Sequence, residues 1–322
     1  MSLSRRGLLS LALAVPVGAA RAAQIPQIPL IMATGRVGTP YARYGAVWAS
    51  LVQTAGLNIA FHTSNGAVAN ILLIERNAAQ LGITTAMVGA EARQGQGQWT
   101  AGVEFDAFRV LFPTFPSALQ IVSPRRTRIA SMTQLAGKRV GLGAPDDSDT
   151  AAVSAILAAL DLSAHFVTIG TFQNGLQQMA AGQLDACAFI GAPPLAPIAA
   201  AAHQELMLIG LTPAEIDRVE QAIPGMHGMV LPAGLFPGQR LSVACVGTAN
   251  LAIGAAGLPD DVARDITLAA LRHHDMLATV VPAAATQPRL RPVIEAGLPF
   301  HPGAAAALRS LGYDIPNRAI ER

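Results

Sequence analysis

Short β-type runs alternate with longer helical stretches along most of this chain of 322 residues, and that alternation constrains its fold more than any other feature. In the first third, strands are predicted at 29–33, 57–62, 81–84, 109–113 and 118–123. Helices are predicted between them, at 41–54, 67–78 and 88–94. Because such alternation is typical of a largely parallel sheet covered by helices, the sequence predicts an α/β fold.

Two breaks interrupt the alternation. The first is polar and charged and covers 123–128; the second is dense in proline and glycine and covers 231–239. Between them, strands are predicted at 138–143, 166–169 and 186–190, and helices at 150–162, 174–181 and 194–203. After the second break, one long apolar strand at 241–253 precedes a helix at 259–280.

The two breaks predict two α/β lobes between which the chain crosses twice. Lobe one is predicted to hold residues 24–123 and 242–322, and lobe two residues 124–241. Two lobes joined by two hinge crossovers enclose a cleft, and such clefts close on small ligands.

The first 23 residues have the pattern of an export signal. Arg5 and Arg6 precede an apolar run at 8–15, and small residues at 20–23 suit cleavage. The pair followed by Gly-Leu-Leu resembles the twin-arginine motif, and an ordinary secretory signal is the alternative. Both predict a periplasmic protein from which the signal peptide is removed. The rest of the chain has no unbroken apolar run of roughly 20 residues, so it is not expected to span a membrane.

Charge and cysteine content argue against several functions. Beyond residue 23 the chain has 19 basic against 20 acidic residues, so no basic field remains to attract nucleic acid. Cys187 and Cys245 each lie in an apolar strand, where core residues are expected rather than a disulfide. The adjacent His273 and His274 point to different faces of a helix. We therefore expect no metal and no cofactor.

No pattern of a catalytic site is found. The chain has no GxSxG, HExxH or CxxC, and its other histidines are scattered. The paired acids Asp260 and Asp261 are explained by the first turn of a helix, where negative charge is favourable. A binding protein is therefore expected rather than an enzyme.

Three strand–turn–helix junctions are candidates for ligand contact. They cover 33–41, 62–70 and 143–150 and are rich in glycine or in helix-capping residues. Taken singly, each is explained by a tight turn or a helix cap. Because helix N-termini bind anions and strand ends meet at one edge of a sheet, together they predict one ligand-binding cleft.

Five segments, in order, resemble a known family. They are TGRVGTPYARYG at Thr34–Gly45, TSNGAVANI at Thr63–Ile71, GKRV at Gly137–Val140, PAGLFPGQ at Pro232–Gln239 and GLPFHPGA at Gly297–Ala304. Together they resemble the TAXI family, the solute receptors of TRAP (tripartite ATP-independent periplasmic) transporters.

The resemblance implies a class II periplasmic-binding-protein fold. It also implies capture of a small organic solute, a carboxylate or an amino-acid-like molecule, and delivery to a membrane permease. A periplasmic sensor subunit and the receptor of an ATP-driven importer are the alternatives. The ligand-binding residues that it implies are Thr34, Gly35, Arg36, Val37, Gly38, Thr39, Tyr41, Asn65, Gly66, Ala67, Val68, Asn70, Thr84, Thr85, Asp147, Ser148, Asp149, Ile190, Gly191 and Ala192.

Two departures from the family leave the charge of the solute open. Arg36 replaces a glycine, and acids at 146–149 replace a small-residue helix cap. Carboxylates at a helix N-terminus oppose an anionic ligand there. Arg36 could bind a ligand carboxylate in a bidentate contact, and the acids could hold a ligand amine. In a third interpretation, these charged residues lie at the rim of the cleft, in solvent. An amino-acid-like solute and an uncharged solute are therefore both open alternatives to a simple dicarboxylate.

Overall fold

The structure is a computed structural model that describes residues 29–145, 147–201, 205–285 and 289–320. The predicted export signal and Asp146 lie outside these residues. In the described part of the chain, no helix is long and apolar enough to cross a membrane.

Ten strands and eleven α-helices are described. The strands are β1 Leu30–Ala33, β2 Ile59–His62, β3 Leu81–Thr85, β4 Phe108–Pro124, β5 Arg139–Leu142, β6 His165–Thr168, β7 Ala186–Gly191, β8 Leu206–Ile209, β9 Met226–Leu231 and β10 Val243–Ala255. The helices are α1 Pro40–Thr54, α2 Ala67–Glu75, α3 Ala86–Gln94, α4 Ser148–Ala159, α5 Phe172–Ala180, α6 Ala196–Ala200, α7 Pro213–Ala222, α8 Asp260–Arg272, α9 His274–Val280, α10 Arg291–Glu295 and α11 Pro302–Ser310.

The strands form one curled sheet in the order β2-β1-β3-β10-β4-β7-β5-β6, with β8 added to β4 and β9 to β10. At each end the strands are parallel, as the alternation with helices predicts. In the middle, β4 and β10 are antiparallel to each other and to their neighbours. The prediction of a largely parallel sheet is therefore wrong at the centre, because the two crossover strands run in opposite directions. The architecture is a two-lobed α/β fold with two crossovers.

The predicted strands 109–113 and 118–123 are one strand of 17 residues, β4. Pro113 and Pro116 lie at the gap between the two predicted strands, and neither can donate to a sheet ladder. Between these prolines the pairing with β10 shifts register, with Ala249 opposite Pro116 and Leu251 opposite Pro113. A bulge thus allows the strand to continue through both prolines.

Separate hydrophobic cores fill the two lobes. One contains Trp48 and Phe112, and the others lie around Ile121 and Phe189. Along β4 the change occurs between Phe115 and Leu119. The limits of the lobes, at 123/124 and 241/242, remain a prediction.

Both cysteines are buried and free, which confirms them as core residues. Burial raises the pKa of the Cys187 and Cys245 thiols to about 12. Neither thiol is therefore a reactive thiolate at neutral pH.

The predicted helix bounds differ from the structure by two or three residues in most cases, and two helices differ in other ways. The helix at 259–280 is divided into α8 and α9 at His273, whose φ of −124° is not helical. The helix predicted from 194 begins at Ala196, where Pro197 occupies the first turn, a position that proline favours.

Three of the five motif segments have structural roles away from the cleft. Gln239 closes the PAGLFPGQ turn by donating to the carbonyl oxygens of Pro232 and Leu241, each at 3.0 Å. Arg139 of GKRV pairs with Asp185 at 2.8 Å. In GLPFHPGA, the Nδ1 atom of His301 accepts from the Gly303 N–H at 3.2 Å and so caps α11.

Candidate functional site

A cavity of about 220 Å³ lies between the two lobes. Twelve of the twenty residues predicted to bind ligand line it: Gly35, Arg36, Thr39, Tyr41, Asn65, Gly66, Ala67, Asp147, Ser148, Asp149, Gly191 and Ala192. They come from all three predicted strand–turn–helix junctions and from the end of β7. The fold thus brings segments far apart in sequence into one cleft.

Three helices begin at this cavity. Thr39 caps α1 by accepting from the Ala42 N–H at 3.4 Å, α2 begins at Ala67, and α4 begins at Ser148 after the N-cap Asp147. The first turn of a helix has N–H groups without partners inside the helix, and its dipole is positive at that end. The cleft therefore presents hydrogen-bond donors from both lobes.

Two glycines are required by the geometry of these turns. Gly66 has a φ of 103°, which side chains disfavour. A Cβ atom added at Gly35 would lie 2.6 Å from Oγ1 of Thr39. Both positions thus let the backbone form the wall of the cavity.

Asn70 fixes the turn that contains Ser64 and Gly66 by hydrogen bonds on the side away from the cavity. Its Nδ2 atom donates to the carbonyl oxygens of Thr34 at 2.9 Å and Ile83 at 2.6 Å. Its Oδ1 atom lies 2.6 Å from the Ser64 hydroxyl, which accepts from the Gly66 N–H at 3.0 Å. Asn70 is fully buried and does not line the cavity, so it positions the turn.

Seven other predicted residues also lie outside the cavity between the lobes. Thr85 and Ile190 line a small neighbouring cavity together with Ser148 and Asp149. Val37 is 92% exposed, so its side chain faces solvent. The remaining four are Thr34, Gly38, Val68 and Thr84, of which Thr34 and Thr84 are buried.

Four residues of the cavity were not predicted: Pro40, Phe115, Ser117 and Asn250. Three of them lie on the crossover strands. Asn250 is 1% exposed, and its Nδ2 atom donates to Phe115 O at 2.9 Å and to Ser117 Oγ at 2.8 Å. The one signal in the sequence that could have indicated this position is an asparagine in an otherwise apolar strand.

The cleft carries opposite charges on its two sides. Arg36, on the first turn, is exposed, and its Nε atom lies 3.4 Å from Oδ1 of Asn65. Asp147 and Asp149 line the side formed by α4. Among the described residues, none of the three forms a salt bridge. Their charges are therefore available to a ligand.

The side chain of Asp149 is exposed to water in the cleft, but protein atoms surround its carboxyl group and partly desolvate it. Desolvation and, secondly, the Asp147 carboxylate raise the pKa of Asp149 to about 7. Burial and the Asp149 charge raise the pKa of Tyr41 well above its ordinary value, so its phenol stays protonated. The wall of the cleft at the start of α4 therefore becomes more negative as the pH rises through about 7, where Asp149 loses its proton.

Within the ranges that the structure describes, no group of three or more histidine, cysteine or acidic side chains could hold a metal ion.

Comparison with known proteins finds one matching family model, that of the NMT1-like family, over residues 32–312. Similar solved structures include a TctC solute-binding protein from Polaromonas, at 11% identity and a TM-score of 0.57; the match covers 89% of this chain and 99% of that one. PhnD1 from Prochlorococcus marinus, in complex with methylphosphonate, matches at 10% identity over 89% and 99% of the two chains, with a TM-score of 0.54. MatC from Rhodopseudomonas palustris, with bound malate, matches at 14% identity over 85% and 95%, with a TM-score of 0.52. At these identities the likeness shows the fold alone.

Proposed function

The chain belongs to the NMT1-like family, and on that premise we propose that it is a periplasmic solute receptor of a TRAP-type transporter, of the TAXI kind. It captures a small organic solute between its lobes and delivers it to a membrane permease. The TAXI-like segments support this assignment. The observation that supports it most is the cavity between the lobes. Three helix N-termini and both crossover strands meet at that cavity.

The charges of the cleft favour an amino-acid-like solute over a simple dicarboxylate. Arg36 and the N-termini of α1 and α2 suit a ligand carboxylate. Asp147 and Asp149 on the facing side suit a ligand amine, since a second carboxylate there would be repelled. One solute with both groups would match both sides of the cleft.

A thermal-shift panel at pH 8 tests the solute class. It compares amino acids with matched carboxylic acids that lack the amine and with matched amides. A tight ligand at 100 times its Kd adds about 2.7 kcal/mol to the free energy of unfolding, which a melting curve resolves. We expect amino acids to stabilise the protein most. Stronger stabilisation by the amine-free acids would contradict the solute class, whereas a panel without any stabilising member would contradict the receptor function itself.

Uptake experiments test the transport role. Cells that lack this protein should lose high-affinity uptake of the stabilising solute, and collapse of the ion gradient by an ionophore should abolish uptake in the parent cells. Unchanged uptake in the deletion strain would favour the sensor role, and ionophore-resistant uptake would favour an ATP-driven importer. The solute should be recovered unchanged after incubation with the purified protein, since no turnover is proposed.

Fractionation of the host cell tests the location. The protein should be found in the periplasmic fraction without its first residues. Changing Arg5 and Arg6 to lysine should trap the precursor if the twin-arginine route is used, whereas unaffected export would indicate the ordinary secretory route.

A further inference from the structure

A second, larger cavity lies beside the cleft, and we call it the rear cavity. Its volume is about 600 Å³, against about 220 Å³ for the cleft. On β4, Ser117 lines the cleft whereas Thr114 and Pro116 line the rear cavity. After β7, Ala192 lines the cleft and Pro193 the rear cavity. Phe115 lines both cavities, so the rear cavity adjoins the cleft at that side chain, and each of the other residues named here lines only one of the two.

The walls of the rear cavity are mostly apolar. Phe115, Met229, Leu231 and Leu235 contribute to them together with several prolines. Val230, also in the wall, is 61% exposed although it is a large aliphatic residue. Ligand pockets for small molecules have volumes of about 300–1,000 Å³ and are lined mainly by apolar side chains with few polar groups. The rear cavity has these properties, whereas the smaller cleft has a larger share of polar and charged groups in its walls.

The polar groups of the rear cavity are few and favour an anion. Arg289, an exposed side chain, lines the cavity and has no salt bridge within the described part of the chain. Two acids lie nearby but do not line the cavity: Glu220 accepts from the Gly228 N–H at 2.6 Å, and Glu295 pairs with Arg291 at 2.7 Å. Arg289 is thus the cation that remains for a ligand.

His227 is a second polar residue of the wall. Its Nδ1 atom is buried and has no hydrogen-bond partner among the described residues. Because that atom has almost no accessible surface, it does not face the open cavity, and Arg289 is the group that can meet an anion there.

From these observations we propose that the rear cavity is a second binding site, for an apolar small molecule that carries one anionic group. The apolar body lies against Phe115 and Leu235, and the anionic group lies at Arg289. The lining residues include Ile216 and Met229 of the predicted lobe two, together with Pro282 and Arg289 of the predicted lobe one. The bound molecule therefore contacts both predicted lobes. This site does not depend on the identity of the solute in the cleft.

Two fluorescent probes that differ in one charged group test the proposal. 1-Anilinonaphthalene-8-sulfonate has an aromatic body and one sulfonate, and N-phenyl-1-naphthylamine has the same body without the charge. Both should bind saturably at one site per chain. The sulfonate should bind about tenfold more tightly, the ratio expected for one charge-assisted contact. Arg289→Gln should remove that difference, whereas Arg272→Gln, at an exposed arginine of α8, should preserve it.

Two further variants locate the probes. Leu235→Trp fills the cavity and should weaken both probes about tenfold or more by loss of apolar contact. Val230→Asp puts a carboxylate into the same wall at an exposed position, so it provides the test if Leu235→Trp does not fold. Circular dichroism and melting temperature establish that each variant is folded.

The proposal is overturned by any of three results. The probes fail to bind saturably to the folded protein; Leu235→Trp and Val230→Asp leave both affinities unchanged; or Arg36→Gln in the cleft, rather than Arg289→Gln, removes the preference for the sulfonate.

Discussion

The hydroxyl of Tyr41 donates a hydrogen bond of 2.7 Å to Oδ1 of Asn250, so the first turn of α1 is joined to the crossover strand β10 over 209 positions of sequence. The Nδ2 atom of Asn250 donates to Phe115 O and Ser117 Oγ on the other crossover strand. One asparagine therefore connects both crossovers to a residue of the cleft. These bonds fix the floor of the cleft.

Removing this bond should reduce stability measurably. Tyr41→Phe is expected to lower the free energy of unfolding by about 1 kcal/mol, the usual net value of one hydrogen bond. Asn250→Ala should cost more, about 2–3 kcal/mol, because it also leaves buried acceptors unpaired. Urea unfolding measures both changes. Tyr313→Phe, for which no side-chain hydrogen bond is described, is the matched control, and an equal loss in Tyr41→Phe and Tyr313→Phe would contradict the role of the bond.

The second turn should depend on Asn70 in the same way. Asn70→Ala leaves the carbonyl oxygens of Thr34 and Ile83 without their donor, and we expect a loss of at least about 2 kcal/mol. Asn70→Asp should be no better, because a carboxylate would face these two acceptors. Asn58→Ala, at an exposed asparagine, should change stability by no more than about 0.5 kcal/mol in the same denaturation experiment. Comparable losses at positions 58 and 70 would refute the positioning role.

Gly66 should resist substitution because of its backbone conformation. At a φ of 103°, Gly66→Ala introduces strain of about 1–2 kcal/mol and should lower the melting temperature. Gly257→Ala is the control, because a Cβ atom added there meets no atom within 4 Å and the backbone is not left-handed. If both variants melt at the same temperature, the strain argument fails.

Stability should fall as the pH rises through the titration of Asp149. Folding raises the pKa of this carboxyl from an ordinary 3.8 to about 7, so the folded chain holds the proton more tightly than the unfolded chain between these values. The free energy of unfolding contributed by this group therefore decreases from pH 4 to pH 7. Asp149→Asn should melt at a higher temperature than the wild type at pH 8, and the difference should shrink at pH 5. Asp217→Asn, at an exposed acid of α7, is the matched control, and a gain in Asp149→Asn that is equal at pH 5 and pH 8 would contradict the titration.

The same titration should affect solute binding. An amino-acid-like ligand should bind more weakly at pH 5.5 than at pH 8, because protonation of Asp149 removes the negative charge that faces the ligand amine. Isothermal titration calorimetry at both pH values measures the change. Asp149→Asn should bind weakly at both, and a wild-type affinity that does not change with pH would argue against contact between Asp149 and the amine.

Local sequence patterns were sufficient where the site is local. The junctions at 33–41 and 62–70 were predicted from glycines and caps between a strand and a helix, and several residues of each line the cleft. Asn250 and Ser117 were not predicted, because they lie in strands whose pattern is that of an apolar core. Their place in the cleft depends on the pairing of β4 with β10, which brings distant segments together. The continuity of β4 was missed for a related reason. The bulge between Pro113 and Pro116 is defined by the pairing of β4 with β10, which the sequence of β4 alone does not show.

Small-angle X-ray scattering of the exported protein, with and without a saturating concentration of the most stabilising solute, tests the central claim most directly. If the two lobes close over a solute in the cleft, the radius of gyration should decrease when the solute is added. An unchanged radius of gyration at a concentration where calorimetry shows full occupancy would contradict closure of the cleft on its ligand.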